Sequence, residues 1–164
     1  MKYLIWESPL GPLTLAASES GMSGVYFEEH KHFSGVAGFQ YDGGYARLVQ
    51  ARQQLDEYFH AGRQSFDLPL DLSAGTPFQQ AVWRALQAIP YGQTCSYRDL
   101  AVKLENPAAV RAVGAANGKN PLSIILPCHR VIAVSGALTG YAGGLKNKQN
   151  LLKFEAGEYD FSEG

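Results

Sequence analysis

The sequence predicts an α/β protein. An N-terminal antiparallel sheet plus helix domain takes residues 1–75, and a mainly helical C-terminal domain with a helix-turn-helix takes residues 76–164. Three observations lead there. Apolar stretches of strand length, separated by turn residues, fill the first 27 positions; helical spacing of apolar residues dominates later; and the composition shifts at Ser73-Ala74-Gly75.

Lys2–Glu7, Leu13–Ala17 and Ser23–Phe27 read as strands, parted by Ser8-Pro9-Leu10-Gly11-Pro12 and Ser18–Gly21, which makes an antiparallel meander. Residues 34–44 hold four glycines and read as loop. Leu48, Ala51, Leu55, Tyr58 and Phe59 then recur at helical spacing through Tyr45–His60, and Phe66–Leu72 alternates like a strand despite Pro69.

Past the boundary, Thr76-Pro77 offers an N-cap followed by proline at the first helical position, with Phe78, Val82, Ala85, Leu86 and Ile89 as the buried stripe. Pro90-Tyr91-Gly92 stops that helix. Ser96 caps a short helix Tyr97–Leu104, which breaks at Glu105-Asn106-Pro107 before a second from Ala108 to about Asn117. Two short helices on a tight turn, the second rich in Ala and Gly and carrying Arg111, fit a DNA-binding helix-turn-helix, a motif also common in purely structural settings. An irregular apolar run, Pro121–Leu126, leads to Pro127-Cys128-His129-Arg130. Glycines from Gly136 to Gly144 follow, and Asn147 opens a last helix to Glu155.

The 164 residues are enough to bury a core, and 46% hydrophobic content excludes a disordered or collagen-like chain. Formal net charge is only -1, but it is unevenly spread. Residues 1–75 carry five basic and nine acidic side chains, whereas residues 76–153 carry nine basic and two acidic, so a polyanion would meet the second segment. Two cysteines cannot staple a disulfide scaffold, which points to a reducing compartment. Glu7 interrupts the apolar start and no run is long enough to span a bilayer, so a soluble cytoplasmic protein without a membrane partner is expected.

Cys128 beside His129 is the chemical focus. A thiol near an imidazole and a guanidinium can become a thiolate nucleophile, whereas a cysteine in an apolar stretch is also commonly an inert small hydrophobe. Neighbouring side chains of an extended segment point to opposite sides, so a bend or a bridging water is needed to connect them. Adjacent Cys and His with no second ligand pair cannot close a zinc site, so no metal is expected. Cys95, between Thr94 and Ser96, reads as structural.

Pro127-Cys128-His129-Arg130-Val131 resembles the O6-alkylguanine-DNA alkyltransferase family. The likeness includes Arg111-Ala112-Val113-Gly114 and Asn120-Pro121 before that string and Tyr141-Ala142-Gly143-Gly144-Leu145 after it, and it runs in order from about Thr76 to Gly157. It implies direct-reversal DNA repair: Cys128 accepts the alkyl group from O6-alkylguanine, once per molecule, with O4-alkylthymine a further candidate substrate. It implies that His129 is the general base acting through a water, that Glu155 orients and stabilises the imidazole, and that Tyr97 donates to the base ring nitrogen. Arg111 would fill the gap left by the flipped nucleotide, while Ala112 and Gly114 would let the helix lie close in the minor groove. Asn120 would tie the helix-turn-helix to the active-site loop; Tyr141, Ala142 and Gly143 would wall the base pocket; and Arg130 completes the expected DNA-facing set. The implied partner is double-stranded DNA containing alkylated guanine, bound by a monomer with no obligate protein partner and no cofactor. This chain departs from the family at Phe154, where members often have His, at Asn150, where many have Trp, and at Ala142, where some carry Ser. It also lacks the N-terminal cysteines that bind structural zinc in some relatives.

Overall fold

A computed structural model describes residues 1–138, 140–159 and 161. Three strands, β1 (Lys2–Ser8), β2 (Gly11–Ala17) and β3 (Met22–Phe27), form the expected antiparallel meander, with Leu4 opposite Leu15 and Trp6 opposite Leu13. The β1–β2 turn is closed locally: the Ser8 hydroxyl donates to Gly11 O (2.6 Å) and accepts from Leu10 N–H (3.1 Å), and Gly11 takes a left-handed φ of 96°. Helix α1 (Ala46–His60) buries the predicted stripe, Leu48, Ala51, Leu55, Tyr58 and Phe59, and it packs on the three strands.

Two parts of this half differ from expectation. Within the loop, β4 (Gln40–Tyr41) pairs in parallel with Lys2 and Tyr3 and extends the sheet to the order β3-β2-β1-β4. Both of its residues are exposed, so no apolar alternation announced it. Phe66–Leu72, in contrast, is not a strand. It touches the sheet at one bridge, Leu70 with Met22, where Met22 N–H donates to Pro69 O (2.8 Å) and Asp71 N–H to Met22 O (2.8 Å). Pro69 has no N–H of its own with which to extend a ladder.

The second half follows its capping signals. Helix α2 (Pro77–Leu86) starts at Thr76 in a capping box: Gln79 N–H donates to Thr76 Oγ1 (3.1 Å) and Thr76 N–H to Gln79 Oε1 (3.0 Å). Its buried residues are Val82, Trp83 and Leu86; Phe78 is exposed, and Trp83 turns inward to donate from Nε1 to Ala116 O (2.8 Å). The short strand β5 (Cys95–Ser96) leads into α3 (Tyr97–Lys103), capped by Ser96 with Asp99 in the reciprocal role.

Helix α3 ends in a Schellman motif. Asn106 N–H reaches Ala101 O (3.0 Å), Glu105 N–H reaches Val102 O (2.9 Å), and Glu105 holds the left-handed position at φ 57° that glycine ordinarily fills. A 3-10 turn, Pro107–Ala109, precedes α4 (Val110–Gly118), which packs on α2 and α3 and completes the helix-turn-helix. Strand β6 (Val131–Ile132) pairs in parallel with β5, and α5 (Leu145–Glu155) follows. Helix α5 begins two residues before Asn147, whose side chain instead donates to Gly143 O (2.7 Å) in the first turn.

One hydrophobic cluster runs through both halves and joins Leu15 and Leu55 to Leu86, Leu122 and Leu151. Val25 N–H donates to Pro121 O (2.8 Å), so the sheet edge holds the segment that leads to Cys128.

Candidate active site

Asn120, just past the C-cap of α4, organises that segment. Buried to 2% exposure, it donates from Nδ2 to Leu126 O (2.8 Å) and Leu122 O (3.4 Å), and its Oδ1 accepts from Leu122 N–H (3.0 Å). Backbone carbonyls of an irregular buried loop need such partners. Inside the loop, Ile125 N–H donates to Ser123 O (2.8 Å) across Ile124, whose φ is 72°. That is a γ-turn of the rare strained kind, in a β-branched residue that avoids positive φ. An inverse γ-turn follows at Pro127 (φ -79°, ψ 62°), closed by Cys128 N–H to Leu126 O (2.7 Å). Cys128, His129 and Arg130 then form a 3-10 turn, not an extended segment, so the rule of alternating sides does not govern them.

His129 is fully buried and its Nε2 lies 2.8 Å from Glu155 Oε2. Arg130 forks onto the same carboxylate, Nε to Oε1 (2.8 Å) and Nη2 to Oε2 (3.0 Å), and its Nη1 donates to Ile89 O (2.7 Å). The Tyr58 hydroxyl, arriving from α1, donates to Oε2 (2.6 Å). Burial alone would raise the Glu155 carboxyl, but His129 and Arg130 beside it overcome this and hold it down to about 2. An ionised carboxylate only accepts, so His129 Nε2 must carry a hydrogen and Nδ1 is the free lone pair of the neutral ring. Nδ1 is buried with no hydrogen-bond partner among the described residues. Burial, with Arg130 and Lys148 nearby, lowers the imidazole below its ordinary value despite Glu155.

Cys128 is 4% exposed, and burial pushes its thiol up to about 11. The Asn120 side chain, the Lys148 charge and the N–H groups of residues 128 and 129 act in the opposite direction. The resting sulfur is therefore a thiol, surrounded by groups that favour a thiolate once a base takes its proton. Lys148 is fully buried, donating from Nζ to Val131 O (2.8 Å), and the Tyr141 hydroxyl faces Cys128 and Ser123.

The other expected positions divide. Tyr97 opens α3, half-buried, with its ring 3.7 Å from the point where a Cβ on Gly114 would lie. Arg111 and Ala112 are exposed in the first turn of α4, with Val113, Ala116 and Asn117 on its buried side. Ala142 is half-buried and its carbonyl accepts from Lys31 N–H (3.0 Å); a Cβ on Gly143 would meet the Phe27 ring at 2.2 Å, so glycine alone fits there. Arg130 requires a correction. Expected to face DNA, it is 5% exposed and its Nε, Nη1 and Nη2 are bonded to Glu155 and Ile89, so it belongs to the buried cluster around Glu155.

Tyr58 and Lys148 escaped the sequence reading. Lys148 had a signal, since it shares a helical face with Leu151 and Glu155, and a lysine on a buried stripe needs an internal partner. Tyr58 sat on a buried stripe as well, but no pattern could name a partner 97 residues away.

Residues 77–157 match the 6-O-methylguanine DNA methyltransferase DNA binding domain, and residues 1–72 match the 6-O-methylguanine DNA methyltransferase ribonuclease-like domain. The chain is 47% identical over 155 residues to a methylated-DNA–protein-cysteine methyltransferase of Methanosarcina acetivorans, covering 94% of this chain and 98% of that protein. It is 44% identical over 160 residues to the constitutive enzyme of that name from Bacillus subtilis, covering 96% of each chain. Its structure is similar to that of Mycobacterium tuberculosis OGT in complex with DNA, with a TM-score of 0.89 and 44% identity over 98% of this chain and 96% of that one. With both halves matched and a buried Cys-His-Glu cluster at their junction, the chain belongs to the 6-O-methylguanine DNA methyltransferase family.

Proposed function

We propose that this protein repairs DNA by direct reversal, moving the alkyl group of O6-alkylguanine onto its own Cys128. The observation that carries the reading is the buried His129, whose Nε2–H is fixed on Glu155 while Nδ1 is left as the lone pair. The thiol proton passes through a water to Nδ1, and sulfur attacks the alkyl carbon in line. The carbon–oxygen bond breaks with its electron pair on the guanine, and a thioether forms that water does not hydrolyse. Tyr97 donates to the base ring nitrogen as the guanine anion leaves. The imidazolium formed meanwhile is balanced by Glu155, the role of the acid in a triad.

A base in the duplex presents no approach to a buried thiol, so the nucleotide must be turned out, at a cost of a few kcal/mol. Arg111, exposed on α4, takes its place in the stack, and the small residues Ala112 and Gly114 let the helix lie close in the minor groove. Tyr141, Ala142 and Gly143 wall the pocket, and Asn120 couples α4 to the loop that carries the thiol. The partner is double-stranded DNA containing alkylated guanine, with O4-alkylthymine a further candidate substrate. The protein works as a cytoplasmic monomer without a cofactor. Among the described residues no helix is long and apolar enough to cross a membrane.

The test is intact mass and peptide mapping after incubation with duplex carrying one O6-methylguanine, beside undamaged duplex. The expected result is a stoichiometric gain of one methylene on the Cys128 peptide, absent from the control and from Cys128→Ser. Tight binding to the lesion without mass gain would make the protein a lesion sensor and overturn the transfer.

A further inference from the structure

Glu155 Oε2 is crowded with donors. It takes the Tyr58 hydroxyl at 2.6 Å, His129 Nε2 at 2.8 Å and Arg130 Nη2 at 3.0 Å, while Oε1 takes Arg130 Nε at 2.8 Å. Tyr58 is fully buried in α1, its ring edge-on to Phe59, Tyr91 and Phe154. Those rings leave its hydroxyl aimed at the one carboxylate that His129 depends on.

A buried imidazole facing an otherwise unpaired carboxylate is held as imidazolium, with both nitrogens protonated and no lone pair to accept a further proton. Burial of the His129 ring works against that state first, and the Arg130 and Lys148 charges add to it. From its own turn come Arg130 and Cys128, from α5 come Glu155 and Lys148, and Tyr58 and Tyr91 pack over the far side of the Glu155–Arg130 pair. Among them only Glu155 favours the imidazolium; Arg130 neutralises its charge, and Tyr58 takes lone-pair density from the same oxygen that His129 uses.

We propose that Tyr58 is a positioning residue for alkyl transfer: its hydroxyl occupies Glu155 so that His129 rests as a neutral imidazole, Nε2–H on the carboxylate and Nδ1 open to the Cys128 proton. The inference rests on the reading of His129 as the base for Cys128. It gives the N-terminal half of the chain a part in the chemistry, acting through Glu155.

Tyr58→Phe keeps the ring and removes the donor. Two readouts are needed: the titration of the His129 ring nitrogens by 15N NMR, and the pH dependence of methyl uptake by Cys128 from O6-methylguanine duplex. Tyr91→Phe, which loses no bond to Glu155, is the control. In Tyr58→Phe the His129 midpoint and the acid limb of the rate both move up by about one pH unit, a roughly tenfold gain in proton affinity for one lost hydrogen bond. The rate well above the midpoint stays near the parent value. An unmoved midpoint, or a rate that falls equally at every pH, overturns the proposal. Should Tyr58→Phe fail to fold, 3-fluorotyrosine installed at position 58, a stronger donor, must move the midpoint down, and an unchanged or raised midpoint overturns the proposal. If the parent protein takes up no methyl while the His129 midpoint still follows the donor at position 58, the transfer reading falls and the hydrogen-bond effect stands.

Discussion

The exposed face of α4 and the buried cluster around Glu155 draw on the same run of basic residues and use it in opposite ways. On α4, Arg111 stands in solvent beside Ala112, with Lys119 exposed just past the helix end. In the cluster, Arg130 and Lys148 are taken out of solvent, one paired with Glu155 and the other held on Val131 O. Positive charge in this half of the chain therefore serves both a surface and an interior. The two uses differ in what removal costs, because a buried charge stripped of its partner is far dearer than an exposed one.

The contrast is sharpest at Arg130. Replacing it by Met leaves the Glu155 carboxylate buried with only His129 and Tyr58, and the expected loss is about 3–5 kcal/mol in denaturant unfolding. A loss below 1 kcal/mol would break the distinction between interior and surface.

Acid tests the same cluster without mutation. The folded Glu155 carboxyl titrates near 2, against an ordinary value of about 4.3, so its ionised form favours the folded state. The corresponding stability, roughly 3 kcal/mol, is fully present above the unfolded value and is lost as pH falls from about 4.3 through 2. Urea unfolding of parent and Glu155→Gln at pH 7 and pH 3 should show the gap between them narrowing in acid.

The smallest effect on stability is expected at Arg111. Arg111→Ala changes unfolding by less than about 0.5 kcal/mol, yet methyl uptake from duplex DNA should fall more than uptake from the free alkylated base. Equal losses on both substrates would reject its part in turning the nucleotide out. Binding to DNA should also weaken steeply as salt rises, since exposed cations meet phosphates by releasing counterions.

How much of this was legible follows the range of each interaction. Thr76 with Gln79 and Ser96 with Asp99 are local pairs, and both helix starts were readable to the residue. The α1 stripe was readable because one helix carries it whole. Gln40–Tyr41 was not, for a two-residue strand is defined by its partner β1 and not by its own pattern. Phe66–Leu72 failed the other way, its alternation being real while the pairing it suggested was limited to one bridge. At the site, Cys128 and His129 stood out by adjacency, but the Arg130 fork onto Glu155 spans 25 residues and Tyr58 spans 97. Arg130 was placed on the DNA side with the rest of the implied site, and nothing in its local sequence tells that it is buried.

The strained turn at Ile124 bears on how the protein tolerates error. A glycine there would relieve a cost on the order of 1–3 kcal/mol, but it would also open mirror-image conformations to the loop that delivers Cys128. An enzyme that turns over repeatedly can average across badly aimed encounters. One that is consumed by its first reaction cannot, and a side chain that narrows the loop to a single path makes that one encounter count.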